Sequence, residues 1–502
     1  MSANLKKLRP YDQPPRVREP LVPDAPDSAA TLWLVVSVLW LLVAAGLGTL
    51  WIAELMFPAA NLQLHFPLPF GLNIWVVIDA QRTASAFQNA VVYGWLANAG
   101  IGAIWFIVPR ITGRSLVSNV GANVALGLWN LAVLLGLASI ILGALPGTGP
   151  LAEFPLPIDA LAALALLMVN GIFWATVAPS LGRGTYVSVL YFGIGLLAFL
   201  GLYTLESLVP LLNLGETPSA LANAFFVRDL ETYWLLGVAV GTIYYVIPRA
   251  TGNPLHSSGL AMLGWLVWLV MALLSGLSRL LDPSIAYAVT TAGTAATIVL
   301  VLHALLVSAN LFLSIRGRWA VALLPGAAAF ALVAVFFLLT SSIIEAIGSL
   351  RSVQEVIAPT EWIDGAFIYA ALGTYTFAAL SLIDYAFPRL LRRAWGTNRL
   401  SVAEFWLVWA GSALAGSALM FGGLAQGSLL GQGVAADQID ATLLWFRLVA
   451  FGGIGLVALG ALALVVDLFL MYTSGRLVTD AAAESVPVAG TATPTTASTS
   501  AL

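Results

Sequence analysis

The sequence has no cysteine and only three histidines. Without cysteine the chain has no disulfide, no iron–sulfur cluster, no thiolate metal site and no cysteine nucleophile. His65, His256 and His303 leave little imidazole for a metal or a haem. Charged residues are also scarce, at 9% of the chain against roughly 25% in a soluble protein. The chain therefore offers few of the side chains that bind transition metals.

Long apolar runs are abundant instead. Apolar residues make up 60% of the 502 residues, and the mean hydropathy is +0.94. Runs of about 18 residues or more, each long enough to span a bilayer, recur along nearly the whole chain. The 24 acidic and 21 basic residues give a net charge of −3, which argues against a nucleic-acid partner. The composition predicts an all-α polytopic membrane protein.

The apolar runs predict three regions. Residues 1–31 form a polar, proline-rich N-terminal segment, 32–475 a transmembrane domain, and 476–502 an Ala/Thr/Ser-rich tail whose composition predicts disorder. No apolar segment typical of a signal peptide precedes the first long run. Twelve helices are predicted, near residues 32–56, 87–109, 120–146, 158–178, 186–212, 231–248, 258–277, 285–314, 319–347, 366–388, 402–431 and 446–474.

Lysine and arginine are distributed unequally between alternate loops. Sixteen lie on the side of both termini and five on the other side. Because basic loops tend to stay in the cytoplasm, both termini are predicted to lie inside a prokaryotic cytoplasmic membrane, which requires an even number of spans. The five outer arginines are Arg82, Arg228, Arg279, Arg351 and Arg447.

Four of the outer arginines are candidates for a charge network. Acidic residues lie close in sequence: Glu231 follows Arg228, and Asp282 follows Arg279. These groups are either solvated ion pairs of little energetic value or partly buried charges, which a membrane protein keeps only when they are paired or functional. The possible network consists of Arg228, Arg279, Asp282, Glu345, Arg351 and Arg447.

Six short segments resemble the motifs of one protein family. They are residues 57–62, 89–91, 244–249, 345–362, 420–427 and 446–453. Residues 244–249, for example, read YYVIPR where the family has YYFVPK. The family is the catalytic subunit I of haem-copper oxidases, and the sequence is most similar to its cbb-type cytochrome c oxidase and nitric oxide reductase branch. The matches run in order from Leu32 to Tyr472, so the resemblance implies a haem-copper oxidase subunit I-like bundle.

The chemistry of that family depends on six histidines. Two bind a low-spin haem, one binds a high-spin haem, and three bind copper or non-haem iron. The resemblance implies that these ligands are lost in this chain, because the corresponding positions hold no His, Met, Cys or Tyr. The former ligand positions are Phe87, Arg228, Ser278, Arg279, Ala366 and Ile368.

The three remaining histidines are poorly placed to rebuild a site. His65 and His256 lie in loops, where a solvated side chain is the expected state. His303 lies within the eighth helix and is expected to be a satisfied residue facing the bundle, with a residual ligand or proton-relay role as the alternative. A six-coordinate haem needs two axial ligands, which one histidine cannot supply.

Other side chains are expected to replace the cofactors. An empty haem-sized hole would lose its packing contacts, so apolar residues should fill it. Arg228 and Arg279 would substitute fixed positive charge for a metal, with Glu345 or Asp282 as counter-ion. The residues expected to fill the ligand positions are Phe87, Phe367 and Ile368.

The resemblance places Arg351 and Arg447 near the propionates of the family's haems. Without propionates they would need other anions. We expect a nearby carboxylate or a lipid headgroup in that role. The candidate carboxylates are Glu355, Asp437 and Asp440.

Reduction of oxygen or nitric oxide needs redox metals. The sequence therefore predicts a degenerate, cofactor-free pseudoenzyme that acts as a structural subunit of a respiratory complex. Its partners would be membrane lipid and other subunits, such as a membrane-anchored c-type cytochrome. Two alternatives stay open: a proton or ion conduit on the same scaffold, and an active oxidase or reductase that holds haem b through unorthodox ligands. Candidate polar residues for a conduit are Asn89, Asn98, Asn170, Asn310, Glu345 and Asp384, although intramembrane asparagine more often bridges helices.

Overall fold

A computed structural model describes residues 22–57, 62–67, 73–143, 149–182, 184–395 and 398–477. In these ranges twelve helices are long and apolar enough to cross a membrane, so the predicted number is confirmed. Most of the N-terminal segment and of the tail predicted to be disordered lies outside the described residues. The helices are α1 Ser28–Met56, α2 Ala80–Thr112, α3 Asn119–Ile141, α4 Leu156–Ser180, α5 Val187–Leu212, α6 Glu216–Thr251, α7 Ser258–Arg279, α8 Tyr287–Ser314, α9 Ala327–Gly348, α10 Trp362–Leu390, α11 Arg399–Gly431 and α12 Ala436–Ser474.

Three helices begin far from the predicted residue. α6 begins at Glu216 and α12 at Ala436, earlier than predicted. The first turns of both helices are polar, so they lie outside the apolar runs on which the prediction was based. α9 begins only at Ala327. Gly326 has a φ of 159°, which is not helical, and it separates α9 from a short helix, Trp319–Ala322. The earlier start of α6 matters most for function, because it places residue 228 within the helix.

A β-hairpin lies between α1 and α2 and was not predicted. Strand β1, Leu62–Pro67, pairs antiparallel with β2, Asn73–Ile78, and the backbone of His65 lies opposite Trp75. The all-α prediction is therefore correct for the membrane domain but incomplete for this connection. Only β2 is rich in the β-branched and aromatic residues typical of a strand, and a stretch of sequence with Pro69 and Gly71 lies between the two strands, which is the signal that was available.

α2, α6 and α10 form the centre of the bundle. Their most apolar segments are 100%, 94% and 89% buried, against 33–56% for the other spans. Each of the three contains one π-helical stretch, at Ala90–Leu96, Leu230–Leu235 and Tyr369–Tyr375. Such stretches are rare within α-helices and are frequent at functional sites. The central helices also hold four of the six positions that the resemblance assigns to haem or metal ligands.

Candidate functional site

The position on α2 that the resemblance assigns to a haem ligand holds an aromatic residue. Phe87 is fully buried and stacks on Trp51 of α1 with ring centroids 5.5 Å apart. A Cβ atom at Gly48 would lie 2.8 Å from a carbon of this ring, so glycine is needed for the close approach. Phe87 therefore packs as a core residue against α1.

The corresponding positions on α10 are also packed. Ala366 and Ile368 are buried, whereas Phe367 between them is half-buried and contacts the edge of the core. One turn away, Gln88 Nε2 of α2 donates a hydrogen bond to Asp364 Oδ1 of α10 over 3.3 Å. The two helices that hold these positions are thus joined directly by side chains.

Four charged residues meet around two of the positions that the resemblance assigns to metal ligands, and we call them the charge cluster: Arg228, Glu231, Arg279 and Glu345. Arg228 Nη1 lies 3.0 Å from Glu345 Oε2 and 3.5 Å from Glu231 Oε2. Arg279 Nη2 lies 3.0 Å from the same oxygen of Glu345. Two bases and two acids balance the formal charge. Glu345 therefore acts as the shared counter-ion that the sequence suggested for both arginines.

Three helices position the charge cluster. Arg228 and Glu231 lie three residues apart where the α-helical part of α6 passes into its π-helical stretch, while Arg279 ends α7 and Glu345 lies near the end of α9. The hydroxyl of Tyr375, from α10, donates to Glu231 Oε1 over 3.4 Å. The side chain of Arg228 is only 6% exposed, so its charge depends on these neighbours.

Asp282 lies apart from the charge cluster, although the sequence suggested it as a member. Its carboxylate accepts hydrogen bonds from the hydroxyl and the backbone amide of Ser284, at 2.5 Å and 2.8 Å. These hydrogen bonds lower the pKa of Asp282. The residue belongs to an exposed turn between α7 and α8, because Pro283 and Ser284 reverse the chain there. Ser278 is buried and donates to the carbonyl of Ser275.

Arg447 has a separate buried anion. Its Nε lies 2.8 Å and its Nη2 2.6 Å from Glu361 Oε1, and Nη1 donates to the carbonyl of Leu55. Asp440, one of the predicted partners, lies 3.2 Å away but is 66% exposed. Glu361, the principal partner, was missed because it precedes α10 and lies far from Arg447 in sequence.

Replacing Glu361 with glutamine is expected to lower the free energy of unfolding by about 2–4 kcal/mol, because the charge of Arg447 would lose its buried partner. The matched substitution Asp440→Asn should change it by less than about 1 kcal/mol, since exposed ion pairs contribute little. Thermal unfolding in detergent measures both. Equal effects would show that Glu361 is not the principal anion of Arg447.

Arg351 belongs to neither group. It donates to the hydroxyl of Thr290 and lies over the ring of Tyr287, 3.8 Å from the ring centroid. No ion pair joins it to Glu355 among the residues that the structure describes. Glu355, one of the carboxylates suggested for Arg351 and Arg447, therefore does not pair with Arg351, which makes a cation–π contact.

His303 is buried in α8, and its Nε2 lies 3.0 Å from the hydroxyl of Tyr191. The ring faces the bundle, as the sequence predicted, but only Nε2 is satisfied, since Nδ1 has no hydrogen-bond partner in the described part of the chain. His256 is exposed, as expected. The side chain of His65 lies outside the described residues.

The asparagines proposed for a conduit link helices or cap backbone carbonyls. Asn89 donates to Ser85 and to Glu153, and Asn98 exchanges hydrogen bonds with Asn130. Asn170 connects α4 to α5, and Asn310 connects α8 to the start of α7. Asp384 is half-buried in α10. These contacts agree with the bridging role.

The residues at these positions do not fit a haem or a copper centre. A guanidinium stays protonated in proteins and has no lone pair for a metal, and phenylalanine and isoleucine have no donor atom. Among the described residues no group of three or more His, Asp or Glu side chains could hold a metal ion. A separate cavity between α2, α6 and α10, lined by residues such as Ala99, Val238 and Ala378, measures about 20 Å³, enough for a water molecule.

Comparisons with known proteins agree on one family. The family model for cytochrome c and quinol oxidase polypeptide I matches residues 28–455. The chain is 22% identical to the Cbb3-type cytochrome c oxidase subunit CcoN1 of Stutzerimonas stutzeri over 402 residues, 78% of this chain and 82% of the relative. It is 23% identical to cytochrome c oxidase subunit 1 of Rhodobacter capsulatus over 463 residues, 88% of this chain and 83% of the relative.

A solved structure shows the same fold. A haem-copper terminal oxidase dimer, determined by cryo-electron microscopy, aligns with a TM-score of 0.74 at 15% sequence identity. The alignment covers 90% of this chain and 84% of the other. The similarity extends over the membrane domain as a whole.

Proposed function

Because the chain belongs to the cytochrome c and quinol oxidase polypeptide I family, we propose that it is a non-catalytic member, a cofactor-free structural subunit of a respiratory membrane complex. The charge cluster is the observation that supports this proposal most directly. Arg228 and Arg279 occupy positions at which the resemblance implies metal ligands, and Glu345 neutralises them. A protein that had kept redox chemistry would need donor atoms at these positions.

Guanidinium groups can replace the positive charge of a metal ion. A metal ion and an arginine both present positive charge to a buried carboxylate, so Glu345 remains satisfied after the exchange. The arginine differs in that it cannot change oxidation state or exchange a ligand. The exchange would therefore preserve the packed interior while removing the capacity for electron transfer.

The packing of the haem-ligand positions supports the same proposal. Phe87 stacks on Trp51, and Gln88 bonds Asp364 across the two helices that the family uses to hold a haem. A rigid, filled bundle is suited to hold other membrane subunits in place. The bacterial relatives are subunits by name, and we propose that this chain likewise works beside a redox-active subunit, with a membrane-anchored c-type cytochrome as the candidate.

Purification from native membranes in a mild detergent tests this role. We expect a polypeptide with covalently attached haem to co-purify in near-stoichiometric amount, detected by haem staining of the denaturing gel. A polytopic membrane protein with the same tag serves as the control. A chain that purifies without any redox-active polypeptide would contradict the structural role, and ion flux through liposomes of the pure chain would favour a conduit.

A further inference from the structure

α2, α6 and α10 end in the same way. Each has an aromatic residue followed four positions later by an arginine, with a proline immediately before the arginine. All six side chains lie at the end of the bundle that the loop charges predict to be cytoplasmic. We call Phe106, Tyr245 and Tyr385 the aromatic triad, and Arg110, Arg249 and Arg389 the arginine triad.

The aromatic triad closes the centre of the bundle. Its ring centroids lie 6.3, 6.3 and 6.0 Å apart, and the three planes are nearly perpendicular, at 86°, 83° and 88°. Each ring therefore contacts the other two edge to face. Because each ring contacts the other two, the residues four positions further along the three helices lie at the same end of the bundle.

The arginine triad lies on these rings. The guanidinium carbons of Arg110, Arg249 and Arg389 are 3.8, 5.0 and 3.6 Å from the centroid of their own ring. All three guanidinium groups act electrostatically on the phenol of Tyr245. Three half-buried positive charges are thus clustered at the aromatic triad, each positioned over one of its rings.

Only one of the three arginines has a carboxylate partner in the described part of the chain. Arg110 forms a bidentate pair with Asp27, with N–O distances of 2.9 Å and 2.8 Å. No ion pair joins Arg249 or Arg389 to a described carboxylate. The carboxylate of Asp384 acts on Arg389 only electrostatically, so three arginines face two carboxylates and a surplus of positive charge remains.

Helix capping uses only part of the hydrogen-bonding capacity of the triad. Arg110 donates from Nη1 to the carbonyl of Phe106, and Arg389 donates from Nη1 to that of Tyr385. An arginine has five N–H donors, so further donors of the triad stay available. Asp27 adopts a left-handed φ of 62°, unusual for a residue other than glycine, while it pairs with Arg110. The carboxylate of Asp27 shows that Arg110 of the triad can bind an oxyanion in this position.

We propose that the arginine triad is a binding site for a multivalent oxyanion of the phosphate type. The planar fork of arginine matches two oxygens of a phosphate, and three forks clustered at the aromatic triad offer more donors than a single carboxylate can accept. The helices of the triad are surrounded by the other spans, so their ends face the aqueous phase at the centre of the protein. This position favours a soluble phosphate over a lipid headgroup.

Equilibrium dialysis of the full chain against labelled pyrophosphate, in detergent free of phospholipid, tests the proposal. We expect about one bound ligand per chain. Arg249→Gln and Arg389→Gln should each weaken binding by about tenfold or more, because a charge-assisted hydrogen bond is lost. Arg318→Gln removes an exposed arginine outside the triad and should leave binding unchanged.

A variant with tighter binding separates this site from a folding defect. Asp27→Asn removes the carboxylate that competes for Arg110, so the affinity for pyrophosphate should rise by about threefold to tenfold. The same variants are also tested in nanodiscs that contain phosphatidylglycerol. If the chain retains the anionic lipid but not pyrophosphate, and Arg249→Gln loses the lipid, the result would support the site and assign it to a lipid headgroup. Retention of neither ligand, or an equal loss in Arg318→Gln, would overturn the proposal.

Discussion

Arg228→Met is expected to lower the free energy of unfolding by about 3–5 kcal/mol, because it leaves two buried carboxylates with a single base between them. In the protein Arg228 lies between Glu231 and Glu345, and Arg279 forms an ion pair with Glu345. Among the described residues Glu231 would keep the hydrogen bond from the hydroxyl of Tyr375 but no ion pair. Thermal unfolding monitored by size-exclusion chromatography measures the loss.

Two further variants separate charge from packing. Arg82→Met removes an outer arginine whose ion pair with Asp79 is 3.6 Å long and partly exposed, and should cost less than about 1 kcal/mol. Adding Glu231→Gln to Arg228→Met removes one unpaired carboxylate and should restore part of the stability. If the double variant is no more stable than the single one, the cluster is not an electrostatic unit.

Phe87→Ala is expected to cost about 3–5 kcal/mol, the range found for truncating a buried phenylalanine. The ring is 1% exposed, stacks on Trp51 and lies against the backbone of Gly48, so its removal leaves a cavity that the bundle cannot close. Denaturant or thermal unfolding of the purified variant measures the change.

The matched control for Phe87 is Phe421→Ala. Phe421 is 62% exposed on the outer surface of α11, so its truncation should change stability by less than about 1 kcal/mol. A neutral effect of Phe87→Ala would mean that the ring does not contribute to packing, and the position would then have to be considered as space for another group.

The membrane domain could be predicted from the sequence because each span is a long apolar run. The number of helices depends only on those runs, whereas their ends depend on polar residues. Arg228 lies in the part of α6 that was predicted as a loop, since Glu216, Asn223 and Asp229 make this stretch polar. The hairpin between α1 and α2 was missed because its strands are short.

The charge cluster could be predicted in part. The acidic and basic residues were identified, but their pairing depends on how α6, α7 and α9 approach each other. Sequence proximity favoured Asp282 as a partner of Arg279, whereas the contact is made by Glu345, 66 residues away. Glu361 and Arg447 are 86 residues apart. The arginine triad was missed for the same reason, because its members meet only when the three central helices are packed together.

A reduced-minus-oxidised absorption spectrum of the purified chain, with iron, copper and haem quantified per polypeptide, tests the central claim most directly. The charge cluster and the packed ligand positions predict no b-type haem bands and far less than one metal per chain. Near-stoichiometric b-type haem, bound after the purified chain is separated from every other subunit, would contradict the proposal that this family member is cofactor-free.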